Sequence, residues 1–199
     1  MLLNSLSEKI ADFLFSDSSD YPIEIYVYGI KLIISSVVGM CVIFTIGLFT
    51  GYFTQAMIYI VALSLIKSFA GGYHANTYLM CNVISGISFL FALIMYFPLL
   101  RMSKSEVLIT TVLVFCVTLL TIILFSPVEH PNKKIEQGDK KKYKFISIVM
   151  LCAEIAVSIC FYIIFHINEF LVILPTLIVV DIAILADVIG KGVAHNENG

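Results

Sequence analysis

Six long apolar runs constrain the fold of this chain more than any other feature of its sequence. About 20 apolar residues in a helix cross the hydrocarbon core of a bilayer, and each run is close to that length. Of all residues, 60% are hydrophobic and 13% are charged, whereas a soluble domain is usually about half apolar and about a quarter charged. The sequence therefore predicts an all-α integral membrane protein with about six transmembrane helices, at residues 25–49, 52–70, 78–100, 106–125, 145–165 and 170–189.

An amphipathic helix is predicted before the first of these runs, over residues 2–15. Its apolar side chains recur every four residues, at Leu2, Leu6, Ile10 and Leu14. A helix with one apolar face of this kind lies in the membrane interface rather than across the bilayer. We therefore expect a single membrane domain over residues 1–199, with an interfacial amphipathic segment at 1–21, a transmembrane bundle at 25–189 and a basic cytoplasmic loop at 126–144.

The basic residues predict the orientation of the chain. With six spans, both termini lie on the same side as the connection between spans two and three and the connection between spans four and five. That side carries ten of the 12 basic residues, and the other side carries only Arg101 and Lys104. Connections rich in lysine and arginine stay in the cytoplasm. The sequence therefore predicts a multi-pass membrane protein with both termini in the cytoplasm.

The connection between the second and third spans holds the residues best suited to chemistry, the base His74 and the thiol Cys81. Cysteine peptidase chemistry needs a thiol and a base within about 3 Å of each other. On one continuous helix, residues seven apart are separated by about 10 Å along the axis. The pair can therefore meet only if the helix is interrupted. Gly71 and Gly72 supply that break, because glycine adopts turn conformations that other residues resist.

From the residue types alone, other interpretations stay open. A single histidine near a membrane interface is commonly just a polar interfacial residue, and a single cysteine near the end of a span commonly just packs. A zinc site is less favoured, because no further cysteine or histidine lies nearby in the sequence to complete four ligands. The five cysteines are odd in number and lack zinc-like spacing, so they indicate neither a disulfide framework nor a structural metal. We expect no metal and no cofactor.

The stretch from Lys67 to Asn76, KSFAGGYHAN, followed by Cys81, resembles the signature of the accessory gene regulator B (AgrB) family. These are membrane cysteine endopeptidases that process quorum-sensing propeptides in Gram-positive bacteria. The resemblance implies a bacterial cell membrane protein in which His74 and Cys81 are the catalytic pair. It also implies that Lys67, Gly71 and Gly72 contact the substrate. Lysine stands where arginine is common in the family, which keeps the charge but loses the planar fork of a guanidinium.

The family's chemistry implies a covalent intermediate on Cys81. Its thiolate would cleave one bond of a short propeptide that has an amphipathic leader and an acidic tail. The tail would leave, and a cysteine or serine within the substrate would attack the resulting thioester and close a macrocycle, a thiolactone or a lactone. A third catalytic residue is not identified. Asn76 could orient the imidazole or cap the third span, and we expect the cap.

Lysines cluster in the segment between the fourth and fifth spans. One interpretation is a topology signal combined with attraction to anionic membrane lipids, worth about 1 kcal/mol per residue. The other is a docking surface for the acidic tail of the propeptide. Both interpretations stay open for Lys133, Lys134, Lys140, Lys141 and Lys142.

Three acidic residues lie within or near the predicted spans and suggest an alternative function. An ionisable group at membrane depth is a functional candidate, here for a proton-coupled transporter or exporter of a small peptide that uses Glu154, Asp181 and Asp187. We expect Glu154 instead to be protonated or hydrogen-bonded within the bundle, and Asp187 to lie in water at the cytoplasmic end.

The resemblance also implies a homodimer. The GxxxG pattern from Gly47 to Gly51 is a weak additional signal of helix packing. The net charge of −2 gives no indication of nucleic-acid binding, and we expect no nucleic-acid partner.

Overall fold

Helices follow one another along the part of the chain that the structure describes, and no strand occurs in that part. The structure is a computed structural model that describes residues 2–15, 22–72, 77–128 and 137–197, with side chains over 5–15, 22–72, 77–128 and 139–190. The helices are α1 (Leu2–Phe15), α2 (Ile23–Thr50), α3 (Phe53–Ala70), α4 (Tyr78–Leu99), α5 (Lys104–Phe125), α6 (Gln137–Ile163) and α7 (Ile173–Glu197), with a short 3-10 helix at Asn168–Val172 leading into α7.

Six segments of the described chain are long and apolar enough to cross a membrane. They are Ile23–Thr50, Phe53–Ala70, Tyr78–Leu99, Lys104–Phe125, Asp139–Ile163 and Asn168–Gly190. Each corresponds to one of the six apolar runs in the sequence. The predicted all-α membrane fold, with about six spans and an additional N-terminal helix, is therefore confirmed.

The basic segment after α5 differs from the sequence expectation of a loop over residues 126–144. Helix α6 begins at Gln137, so the last eight residues of that segment are helical. Lysine is a good helix former. The lysine-rich residues therefore extend the apolar span by about two turns instead of forming a loop. Lys140, Lys141 and Lys142 lie on these first turns of α6.

Helix α1 packs against α2. The ring of Phe15, at the end of α1, stacks on Tyr26 of α2 with 4.1 Å between the ring centroids. Ala11 of α1 is fully buried, whereas Phe13 is 85% exposed. The helix therefore presents one face to α2 and leaves apolar side chains on another, as its amphipathic sequence predicts.

Helix α7 lies at the centre of the bundle. In its most apolar 18-residue window, 56% of the residues are buried, against at most 33% in any other span. Its side chains Leu177, Val180 and Ile184 share one core cluster with Ile66 of α3 and Ile122 of α5. Helix α7 also packs against α4. Helix α7 therefore packs against both α3 and α4, the two helices that border the candidate site.

The two glycines of the GxxxG pattern act within the chain, in the turn between α2 and α3 and in the packing of these two helices. Gly51 ends α2 in the left-handed conformation, with φ of 80°. A Cβ atom at Gly47 would lie 2.7 Å from the Cβ of Ala56, so this glycine permits close approach of α3. The homodimer gains no support from this motif and stays a prediction.

Candidate functional site

The double glycine ends α3, as the sequence predicts. Helix α3 stops at Ala70, and α4 begins at Tyr78. Gly71 and Gly72 have φ values of 79° and 135°. Both values lie in the region that glycine occupies at low cost and that other residues avoid. Gly71 and Gly72 therefore cause the break in the helix that would let a residue before α4 approach Cys81.

The end of α3 is anchored by the residues that follow α5. The Val128 amide donates a hydrogen bond to the Ala70 carbonyl oxygen at 3.0 Å, and the Ser126 hydroxyl donates to the same oxygen at 3.3 Å. A Cβ atom at Gly71 would lie 2.7 Å from the Val128 carbonyl oxygen. Two hydrogen bonds thus satisfy a carbonyl that has no intrahelical partner at the end of the helix. The close approach of Val128 leaves no room for a side chain at Gly71.

Beyond this anchor, the chain passes over the surface of α7. Gly72 is buried, and a Cβ atom there would lie 3.5 Å from the Cβ of Ala183 and 3.7 Å from its carbonyl oxygen. These are ordinary van der Waals distances. The last described residue before the gap at 73–76 is therefore in contact with the central helix of the bundle.

Cys81 lies in the first turn of α4 and is partly exposed. The N-cap of this helix is Thr77, whose side-chain oxygen accepts a hydrogen bond from the Met80 amide at 3.2 Å. The expectation that Asn76 forms the cap is therefore wrong; threonine in extended conformation fulfils that role one residue later. The Cys81 amide donates to the Thr77 carbonyl oxygen at 3.0 Å.

Lys67 lies one turn before the end of α3 and is half-buried. Lys67 interacts electrostatically with Cys81. A cation beside a thiol stabilises the thiolate form, which is the nucleophile. The sequence resemblance assigned Lys67 to substrate contact, and the structure brings it to the candidate nucleophile.

Several candidate residues lie outside the described residues. His74 belongs to the gap at 73–76, and Lys133 and Lys134 belong to the gap at 129–136. The contact between His74 and Cys81 therefore stays a prediction, as do the contacts of these two lysines.

The first turns of α6 lie beside the end of α3. The rings of Phe69, on α3, and Tyr143, on α6, are 6.1 Å apart between centroids. Lys144 donates a hydrogen bond through Nζ to the Ile123 carbonyl oxygen at 2.7 Å, in the last turn of α5. Lys141 and Lys142 are exposed and Lys140 is half-buried. The structure thus brings these three lysines to the same end of the bundle as Lys67 and Cys81, although they are far apart in sequence.

The three acidic residues of the alternative function lie in different surroundings. Asp181 is buried on α7, and its Oδ2 accepts a hydrogen bond from the Thr118 hydroxyl of α5 at 2.8 Å. Glu154 is 5% exposed and lines an apolar groove of about 340 Å³ between α3 and α6. Neither of its carboxyl oxygens accepts a hydrogen bond from any described residue, so the expected hydrogen-bonded contact is absent there.

Asp187, which the sequence analysis expects in water at the cytoplasmic end, lies near the end of α7. It is half-buried in the last turn of the sixth span, and its Oδ2 atom is buried in the protein. Among the described residues, no three histidine, cysteine, aspartate or glutamate side chains converge as metal ligands would.

Sequence reasoning missed two parts of this site. The anchor at Ser126 and Val128 had no visible signal, because residues 56 positions apart in sequence meet only through the fold. The contact of Gly72 with α7 was equally hidden. The threonine cap could have been found, since Thr77 lies just before the apolar run and threonine is a common N-cap.

The chain matches the sequence profile of the family described as accessory gene regulator B over residues 7–186. It is 25% identical over 139 residues to an AgrB-like protein of Clostridium perfringens strain SM101 (type A). It is 24% identical over 140 residues to a second AgrB-like protein, from Clostridium perfringens strain 13 (type A). Each alignment covers 69% of this chain and 64% of the relative's length. No solved structure matches the chain.

Proposed function

The chain belongs to the accessory gene regulator B family, and on that premise we propose that it is a membrane-embedded cysteine endopeptidase acting on an autoinducing propeptide. The family takes part in accessory gene regulator quorum sensing and is linked to propeptide processing. One observation carries the proposal for this chain. Cys81 lies in the first turn of α4, beside the Lys67 ammonium and just after an enforced break in the helical chain.

Cys81 is the nucleophile. Cys81 lies in the N-terminal turn of α4 and interacts electrostatically with Lys67. The other described cysteines lie within apolar spans. We therefore assign the nucleophile to Cys81 rather than to one of them.

His74 is the base. It lies within the connection whose ends are fixed by Gly72 and Thr77, so it is not bound to the helical spacing that would separate it from Cys81. The imidazole takes the thiol proton and later donates it to the leaving amine. This division of roles is that of a nucleophile activated by an adjacent base.

The reaction proceeds in two steps, transfer of the acyl group to Cys81 and ring closure. The Cys81 sulfur attacks the carbonyl carbon of the scissile peptide bond, the carbon–nitrogen bond breaks, and the C-terminal tail leaves with the proton from His74. A thioester between Cys81 and the N-terminal part of the substrate remains. A thiol or hydroxyl of that substrate then attacks the thioester carbonyl, gives up its proton to His74, and releases Cys81 as a thiolactone or lactone forms.

The basic turn of α6 supports a docking role for the acidic tail of the propeptide. Lys140, Lys141 and Lys142 lie at the end of the bundle that carries Cys81, and Tyr143 contacts the ring of Phe69 on α3. Anionic lipids provide a second partner for the same charges. The proposed orientation has both termini in the cytoplasm and Cys81 at the cytoplasmic surface, and a homodimer is the proposed assembly. In intact cells, labelling of a cysteine introduced at Lys140 by an impermeant maleimide, without labelling at Lys104, would contradict that orientation.

Proton-coupled transport of a small peptide is the second candidate. The observation that favours it is Glu154, a buried acid on a spanning helix that lines an apolar groove. The two functions differ in which residue is indispensable. A transporter needs its intramembrane acids, whereas a peptidase needs Cys81.

The experiment that tests the proposal uses membranes containing the full chain together with a propeptide that has an amphipathic leader, a central cysteine and an acidic tail. Cys81→Ala should abolish release of the tail, and Glu154→Gln should leave it measurable. Cys116→Ala, which changes another exposed cysteine within a span, is the matched control and should retain cleavage. Cleavage by the Cys81→Ala protein at the wild-type rate would refute the peptidase and favour transport.

A further inference from the structure

An apolar groove between α3 and α6 contains a carboxyl group that no described residue satisfies. The groove has a volume of about 340 Å³, and the exposed side chains that line it include Met57, Val61 and Leu65 of α3 and Val157 of α6. Glu154 of α6 also lines it, but this side chain is 5% exposed, and neither of its carboxyl oxygens has a hydrogen-bond partner among the described residues. A buried polar group without a hydrogen bond is unfavourable, so this groove favours an occupant that carries a donor.

Glu154 lies at a depth that lipid headgroups do not reach. It precedes Ile163, the last residue of α6, by nine residues, which is about 14 Å along the helix axis. That distance is about half of the hydrocarbon core, which is about 30 Å thick. A lipid carries its hydrogen-bond donors in its headgroup, so only its hydrocarbon chains reach this depth. A membrane-spanning helix with a hydroxyl or amide side chain combines an apolar body with a donor at the required depth.

A line of exposed side chains runs along α3 and has the spacing of a helix–helix contact. Its members, which we call the α3 seam, lie alternately three and four residues apart and are Thr54, Met57, Val61, Ser64 and Ser68. This alternation keeps one face of a helix toward a packed neighbour. The exposed residues of α5 between Leu108 and Phe125 are all apolar, whereas three members of the α3 seam carry hydroxyl groups. Small and hydroxyl-bearing residues are enriched where helices pack in a membrane.

Ser64 lies close to the depth of Glu154. Helices α3 and α6 are the second and fifth spans and therefore run in opposite directions, so α3 begins at the surface where α6 ends. Ser64 follows Phe53, the first residue of α3, by 11 residues, or about 17 Å along the axis. The corresponding distance for Glu154 is about 14 Å. Because side chains lean toward the N-terminus of their own helix, the Ser64 hydroxyl and the Glu154 carboxyl are displaced toward the same level.

We propose that helix α3 of a second copy of this chain occupies the groove, and that the Ser64 hydroxyl of each copy donates a hydrogen bond to the Glu154 carboxyl of the other. A two-fold axis along the membrane normal keeps every residue of the second copy at the depth that it has in the first. Both hydrogen bonds therefore form together. The inference takes the homodimer of the proposed function as its assembly, and it does not depend on the cleavage chemistry.

The groove and the α3 seam are adjacent, as a two-fold interface requires. Val61 belongs to both, since it lines the groove and lies on the seam. The two copies of α3 thus pack side by side at the centre of the dimer, and each also contacts α6 of the other copy. Ala153, an exposed small residue on the α6 wall of the groove, lets the incoming helix approach closely.

The experiment measures the dimer in a bilayer. The purified full chain, labelled at its C-terminus with a donor or an acceptor fluorophore, is reconstituted into vesicles of phosphatidylethanolamine and phosphatidylglycerol, and energy transfer is followed as the lipid-to-protein ratio rises. Ser64→Ala should raise the dissociation constant of the dimer about sevenfold, because it removes two interhelical hydrogen bonds of about 0.6 kcal/mol each and about 1.4 kcal/mol corresponds to tenfold. Ser64→Thr keeps the hydroxyl and should retain most of the affinity.

A double mutant tests whether Glu154 is the acceptor. In a Glu154→Leu background, Ser64→Ala should leave the dissociation constant unchanged, because the hydroxyl has already lost its acceptor. Ser36→Ala is the matched control and should dimerise like the wild type. Ser36 is an exposed serine of α2 whose hydroxyl donates to the Leu32 carbonyl oxygen within its own helix at 2.8 Å.

Disulfide cross-linking locates the interface on the surface of the bundle. In a chain whose five native cysteines are replaced by alanine, Val61→Cys should form a disulfide between copies on oxidation with copper phenanthroline. Val112→Cys, on α5, is the matched control and should form none. The two valines are 56% and 60% exposed. Each lies eight residues after the first residue of its helix, and α3 and α5 begin at the same surface, so the two positions also match in depth.

Three outcomes would overturn the inference. Energy transfer at the level of random encounters for the wild-type chain would leave the groove to a helix of another membrane protein. Equal losses from Ser64→Ala in the wild-type and Glu154→Leu backgrounds, or no loss in either, would show that the serine does not pair with the carboxyl. A disulfide through Val112→Cys but not through Val61→Cys would place the dimer on a different face. Failure of the proposed function would be seen differently, as propeptide cleavage by Cys81→Ala protein.

Discussion

Replacing Gly71 with alanine tests how the end of α3 is fixed, because two separate effects act at this one position. Its φ is 79° and its ψ is −154°, a backbone conformation that is essentially restricted to glycine and costs an L-residue about 1–3 kcal/mol. A Cβ atom would also lie 2.7 Å from the Val128 carbonyl oxygen, and overpacking of this kind costs about 1–3 kcal/mol. The expected loss in the free energy of unfolding is therefore about 2–6 kcal/mol.

Two other glycines separate these effects. Gly51 has a similar φ but a ψ of 9°, the left-handed conformation, and a Cβ atom there would have no other atom within 4 Å. Gly51→Ala should therefore cost only the energy of that conformation, about 1–2 kcal/mol. Gly29 lies inside α2, where a Cβ atom would also meet nothing within 4 Å and φ is not positive. Gly29→Ala should therefore stabilise the protein by about 0.5–1 kcal/mol, the helix-interior difference between the two residues.

The assay is unfolding of the purified chain in mixed micelles at increasing fractions of denaturing detergent. The alkylation rate of Cys81 is the local readout, and it should change in Gly71→Ala and stay at the wild-type value in Gly29→Ala. If Gly71→Ala proved no more destabilising than Gly51→Ala, the close approach of Val128 would not be what selects glycine at position 71.

Two further predictions concern charge. Lys67→Gln should slow alkylation of Cys81 by iodoacetamide, whereas Lys67→Arg should keep most of the rate because the cation remains; equal rates for the two variants would contradict a role for the charge. Replacing Lys140, Lys141 and Lys142 together with glutamine should raise the KM for a propeptide with an acidic tail more than it lowers kcat, since remote binding acts mainly on KM. The effect should fade at high salt, because the screening length falls from about 8–10 Å at physiological ionic strength to about 3 Å at 1 M. Unchanged kinetics would leave these lysines a lipid-binding role only.

The fold of this chain could be predicted from sequence because each span satisfies its own backbone hydrogen bonds. The length of an apolar run then determines the helix almost by itself. The break before His74 could also be predicted from local sequence, because glycine adopts the positive φ values of Gly71 and Gly72 at low cost and other residues do not. The start of α6 was not predicted, because a lysine-rich segment can form either a loop or a helix. In the helix that forms, the ring of Tyr143 packs against Phe69.

The parts of the site that come from different spans could not be predicted. Nothing in the spacing of residues connects Ala70 with Val128, Gly72 with Ala183, or Lys67 with Cys81 through space. These contacts depend on how α7 sits among α3, α4 and α5. A single sequence gives the length and polarity of each helix, but it does not give the rotation of one helix about its axis relative to another.

The central claim is that Cys81 forms a thioester with the substrate, and trapping that thioester tests it most directly. The full chain is incubated in membranes with a propeptide whose central, ring-closing cysteine is replaced by alanine. Without its internal nucleophile, the intermediate has no partner for ring closure and should accumulate. Mass spectrometry should then find the N-terminal part of the propeptide on Cys81, and hydroxylamine should remove it. Release of the tail with no hydroxylamine-sensitive adduct, or with an adduct on another cysteine, would contradict the account.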